Sequence, residues 1–213
     1  MIGRTTRIGF LVTVAGVCVI VGTLGATAQA ADGDDAPLTI RARAISTLNI
    51  SRGAADRVEI KISQWSSDVD RQALVDTLVS EGNKALADRL AGQEEVGWFR
   101  FDPRGGGGPG RDPRKTDLRY AHDIIDGDSR DIILITNHYI GFGSDARAAD
   151  GSRLVEFPLS VVLLNLERND DGEWAGLGRL FVGTKIRYDS GQGRFAIDEF
   201  PSDPVYLRDV VVK

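Results

Sequence analysis

His122 and His138 flank the dipeptide Asp126-Gly127, the strongest short hairpin signal in the chain. Two imidazoles on neighbouring strands could share a metal ion or act as an acid–base pair. Strand register argues against both. With Asp126 and Gly127 as the two loop residues, Ile125 faces Asp128 and His122 faces Asp131, seven positions short of His138. That pairing also sends the two side chains to opposite faces of the sheet, and a three-residue loop restores a common face but leaves them six positions apart. No metal site is therefore expected. His122 and Asp123 are chain neighbours and point to opposite faces of a strand, so they do not form a dyad.

Other chemistry-bearing patterns meet similar objections. The chain has no G-x-S-x-G elbow, and its single cysteine, Cys18, lies in an apolar N-terminal run. A hydrolytic triad assembled from distant residues stays open as the alternative to a non-enzymatic domain. Gly141-Phe142-Gly143-Ser144-Asp145-Ala146 matches a dinucleotide fingerprint but has no room for the helix that must follow it, so no cofactor is expected. Asn169-Asp170-Asp171-Gly172-Glu173 offers oxygen ligands suited to calcium, yet it sits between two strands as a hairpin turn would. Arg104, Arg111 and Arg114 surround Gly105–Gly110 and could contact an anion, within a segment, 102–115, whose composition reads as a flexible loop.

The aromatic residues fall mostly on expected strands and should line the interior of a barrel or sandwich. Were that interior to leave a cavity, Arg100, Tyr120 and His122 would be the polar groups among apolar walls, the usual composition of a small-ligand pocket.

These residues must be positioned by a strand-rich chain. Leu38, Ile40, Ala42 and Ala44 alternate with polar neighbours, as do Val58, Ile60 and Ile62, and the two runs read as a hairpin. Ser67 with Asp70 forms a capping-box pattern, followed by Leu74, Val75, Leu78 and Val79 up to Gly82. A second short helix carries Leu86 and Leu90 and stops at Gly92. Strands then dominate: Val96–Phe101, Asp117–Ile125, Asp131–Ile140, Val155–Glu167, Trp174–Tyr188, Arg194–Phe200 and Val205–Val212. Short turns between them force antiparallel pairing. The expected fold is α+β, mostly antiparallel, a barrel or two-layer sandwich of about eight or nine strands with a short helical pair inserted after the second strand.

Residues 1–30 read as an address. Arg4 and Arg7 precede an uncharged run from Ile8 to Ala26, and Ala28-Gln29-Ala30 supplies a small-residue cleavage site. The run is a secretory signal peptide or, if uncleaved, an anchor, and only in that second case would the protein be membrane-bound. Either way the rest is exported to the periplasm or beyond: an acidic leader at 31–36, then one β-rich domain at 37–213. Cleavage after Ala30 leaves 183 of 213 residues and no cysteine. It also removes two of 26 basic residues, leaving 24 against 31 acids and a net charge of −7, a poor match for nucleic acid.

Several stretches carry a resemblance: Ile62-Ser63-Gln64-Trp65-Ser66-Ser67-Asp68, Gly97-Trp98-Phe99-Arg100-Phe101, Leu118-Arg119-Tyr120-Ala121, Ile140-Gly141-Phe142, Phe157-Pro158-Leu159, Gly183-Thr184-Lys185-Ile186 and Pro204-Val205-Tyr206-Leu207. Across the exported part the chain resembles a group of small secreted bacterial proteins of unknown function. That resemblance implies an exported bacterial domain folded as one unit and assigns no activity. The residues point to binding of a small apolar ligand or an envelope protein, with a hydrolase or a pocketless envelope scaffold as alternatives.

Overall fold

The computed structural model describes residues 37–45, 56–102, 115–140 and 156–213. Ten strands and one helical segment run in the order β1 (Leu38–Ile45), β2 (Asp56–Ile62), α1 (Asp68–Ala91), β3 (Gly97–Asp102), β4 (Lys115–Leu118), β5 (Tyr120–Asp126), β6 (Ser129–Thr136), β7 (Leu159–Arg168), β8 (Trp174–Asp189), β9 (Arg194–Glu199) and β10 (Val205–Val212). Residues 1–36, Arg104, Arg111, Arg114 and the Gly141–Ala146 motif lie outside the described residues. Among the described residues no helix is long and apolar enough to cross a membrane.

Nine strands follow one another in the order β4-β3-β2-β1-β10-β8-β7-β6-β5, every pairing antiparallel. The two ends of this path, β4 and β5, are separated in the chain only by Arg119, whose N–H donates to the Ile135 carbonyl at 3.0 Å. One continuous stretch thus pairs with β3 at its start and with β6 further on, and the sheet curls into a nearly closed barrel.

Alternation decides what fills it. Leu38, Ile40, Ala42 and Ala44 of β1 and Val58, Ile60 and Ile62 of β2 point inward, where they meet Phe99, Leu118, Leu134, Leu164 and Leu180. One charged pair joins this core. Arg130 is 1% exposed and Asp123 8%. Arg130 Nε and Nη2 donate to Asp123 Oδ2 at 3.0 and 2.7 Å, and the guanidinium lies 5.6 and 5.8 Å from the ring centres of Trp65 and Trp174.

A second apolar cluster lies outside the barrel. Leu74, Val75, Leu78, Leu86 and Leu90 of α1 cover the outer sides of Tyr120, Ile133, Ile135 and Val161. Ser67 caps the helix, its Oγ accepting from the Asp70 N–H at 3.1 Å, and Gly92 ends it. The helical geometry breaks at Gly82 (φ 85°, ψ −175°), so α1 is two helical halves in series.

Two corrections follow. The β5–β6 hairpin turns on Gly127-Asp128 and not on Asp126-Gly127: Asp126 faces Ser129, and His122 faces Ile133 instead of Asp131. Gly127 has a positive φ (60°) and Asp128 does not, which suits a two-residue turn with glycine first. The aromatics, too, are divided differently. Phe99 and Trp174 are in the barrel core, whereas Tyr120 and Phe195 lie in the outer cluster with Tyr188 packed against it. Helix and outer strands cover that side of the sheet, so it needs large apolar groups as much as the interior does.

Candidate functional site

The outer face of β5 to β8 is a ladder of cross-strand rows. Tyr120, Ile135, Val161 and Phe181 stand side by side; next come His122, Ile133, Leu163, Arg179 and Tyr206; then Ile124, Asp131, Asn165 and Leu177. The first row is largely covered by α1. The second and third form the floor of an open groove.

Its other wall comes from β9 and the residues that follow it, held in place by the far half of β8. Register along β7–β8 shifts between Leu159 and Ser160, where β8 carries an extra residue, Gly183, at φ 66°. Such a one-residue bulge, with glycine supplying the left-handed backbone, bends the strand away from its partner. Beyond it β8 leaves β7 and pairs with β9 from Ile186↔Ile197 to Asp189↔Arg194. Asp189 Oδ1 closes the connecting turn by accepting from the Gly191 and Gln192 N–H groups at 3.0 and 3.2 Å.

Two arginines fasten this flap. Arg194 Nη1 donates to Asp131 Oδ2 at 2.6 Å, tying β9 to β6, while Arg194 Nε donates to Gln192 Oε1 at 2.7 Å. Arg71 Nη1 donates to the Gly193 carbonyl at 3.2 Å, tying the flap's turn to α1, and its Nη2 holds Asp68 Oδ1 at 2.8 Å. That hydrogen bond, with the positive charge of Arg71, lowers the Asp68 carboxyl below its ordinary range.

The groove has a volume of about 620 Å³, within the roughly 300–1,000 Å³ of small-molecule sites. Its middle is apolar, with Ile133, Leu163, Phe181, Phe195 and Ile197, and Phe200 stands edge-on to Phe181 at 5.3 Å between ring centres. Polar groups border it, His122 and Arg179 at the two ends of the second row and Asp131, Asn165 and Arg194 along one side. Both carboxylate oxygens of Asp131 are taken, one by Arg194 and the other by the Asn165 amide at 2.7 Å. Arg179 is exposed and makes no hydrogen bond or ion pair to another described residue.

Of the residues singled out in the sequence, His122 lines this groove and Tyr120 is its neighbour on the same face, 6.3 Å away between ring centres. Burial, helped by the charge of Arg71, holds the His122 imidazole below its ordinary pKa, against a smaller opposite pull from Asp123 and Asp68. Burial likewise pushes the Tyr120 phenol well above its usual value, so it stays protonated, packed edge-on against Phe195 at 5.2 Å. Arg100 is not brought to them: it stands on β3, hydrogen-bonded to Glu59 and 5.2 Å from the Trp98 ring centre.

His138 is exposed beyond the end of β6, and no group of three metal-ligating side chains forms among the described residues. In the Asn169–Glu173 turn, Asn169 Oδ1 accepts from the N–H groups of Asp171 and Glu173 at 3.1 and 2.8 Å. The groove's chemistry is therefore an uncharged imidazole, an exposed guanidinium and engaged carboxylates around an apolar middle. Among the described residues its lining contains no serine, threonine, cysteine or lysine. Such a site can desolvate and orient a ligand.

Sequence reasoning missed Arg179, Phe181, Arg194 and Phe195. The one available signal was the length of β8, since sixteen residues exceed the five or six of a common strand and announce a strand serving two partners.

No family model, curated protein or solved structure matches this chain.

Proposed function

We propose that this protein is a non-enzymatic, exported β-barrel domain that binds a small, largely apolar ligand in the lateral groove between the barrel wall and β9. The supporting observation is the groove itself: a ligand-sized space with an apolar middle bordered by polar groups, beside a barrel interior filled by apolar side chains and the Arg130–Asp123 pair. Burying an apolar ligand there removes its surface from water at about 25 cal/mol per Å². The N-terminal arginines, uncharged run and Ala28-Gln29-Ala30 support delivery to the periplasm or the medium.

The test is titration with the amphipathic dye 1-anilinonaphthalene-8-sulfonate, comparing the wild type with Leu163→Trp. Leu163 stands half-buried in the middle of the groove floor, so an indole there obstructs it. Saturable one-site fluorescence in the wild type, weakened at least tenfold in a variant of unchanged Tm, is the expected result. Equal binding by both proteins would place the dye elsewhere and overturn the reading.

A further inference from the structure

Resting on the groove-binding reading, we infer that the ligand is an anionic amphiphile, a single carboxylate or comparable anion on an aliphatic tail, with its head at Arg179 and its tail along the row toward His122. The row decides the orientation. Tyr206, Arg179, Leu163, Ile133 and His122 are successive cross-strand neighbours. Arg179 and His122 are therefore three strand spacings apart, about 14 Å. Between them in the row stand the aliphatic side chains of Leu163 and Ile133, with Phe195 and Ile197 beside them from β9 and Asp131 and Asn165 one row along. A linear apolar chain fits that interval.

The balance of charge decides the sign of the head. The Asp131 carboxylate is matched by the Arg194 guanidinium and also accepts from the Asn165 amide, and Asp203, the second lining acid, has an interaction of its own. Asp131 therefore does not draw a cationic head as an unpaired carboxylate would. Arg179, by contrast, offers a planar fork of N–H donors with no partner among the described residues, a geometry that matches a carboxylate with two parallel bonds. The distal His122 is held uncharged and so adds no second charge for a double-headed ligand.

Isothermal titration of the mature chain with decanoate, with 1-decanol and with decyltrimethylammonium separates the head from the tail. In the wild type, decanoate is expected to bind at least tenfold more tightly than the alcohol, and the cation more weakly than either. Arg179→Gln, an exposed substitution, should bring decanoate within about twofold of decanol, and Arg179→Lys should restore most of the preference. Decanol binding as tightly as decanoate, or a preference that survives Arg179→Gln, overturns the head-group assignment while leaving the groove reading in place. Binding of none of the three overturns both.

Discussion

Asn83 pairs with the backbone of Ile186 as a neighbouring strand would: its side-chain oxygen accepts from the Ile186 N–H at 2.8 Å and its amide donates to the Ile186 carbonyl at 3.0 Å. Ile186 also faces Ile197 of β9 across the sheet, so the amide closes the edge of β8 that β7 has left. Position is supplied by the break at Gly82, one residue earlier, which turns the chain between the two halves of α1. The helix, the flap and hence the groove wall share this contact.

Replacing Asn83 by alanine removes both bonds and leaves two backbone groups of a buried residue unpaired. The expected cost is about 2 kcal/mol. Urea unfolding of Asn83→Ala should show that loss, and hydrogen exchange should show faster exchange of the Ile186 amide than in the wild type, with the barrel amides of β1 and β2 little changed.

The Arg130–Asp123 pair gives a larger effect with a specific signature. Asp123→Ala removes the carboxylate that pairs with a guanidinium buried in the barrel core, and the loss should reach about 3–5 kcal/mol. Removing both charges in Asp123→Leu/Arg130→Met should recover most of it, because well-packed apolar residues of similar volume replace a desolvated pair at little cost. Chemical unfolding of the two variants checks this; a double variant no more stable than Asp123→Ala would contradict it.

The depressed pKa of His122 sets a pH dependence. Its imidazole is uncharged in the folded protein under conditions where the unfolded chain, with a pKa of about 6.5, takes up a proton. Proton uptake by the unfolded state means that stability is fully present above that value and falls as the pH drops below it, levelling off only beneath the folded-state pKa. Unfolding free energies measured between pH 7.5 and pH 5 should show this decline in the wild type, and His122→Phe should lack that part of it.

Legibility in the sequence varied with how many faces of an element are covered. β1 exposes one face, and its clean alternation of Leu38, Ile40, Ala42 and Ala44 identified the inward side. Ser67 announced the start of the helix through a local hydrogen bond that needs no tertiary context. The middle of the barrel wall was harder. In Leu159–Leu164 nearly every residue is apolar and at least partly buried, because one face looks into the barrel and the other lies beneath α1 or in the groove, so period two disappears. The aromatics were misplaced for that reason. Closure was hidden for another: Arg119, a single residue between β4 and β5, carries no turn signal, yet the stretch around it joins both ends of the sheet. His122 stood out through its chemistry, whereas Arg179 and Phe195 reach the same groove only through pairings set by the whole barrel.

The most direct test of the groove is methyl NMR of the protein titrated with decanoate. Shifts should concentrate on Ile133, Leu163 and Ile197, which line the groove, and leave the interior methyls of Ile40, Ile60 and Leu134 unmoved. Saturable shifts centred on those interior methyls, with the groove methyls silent, would mean that the barrel interior holds the ligand and would contradict the account.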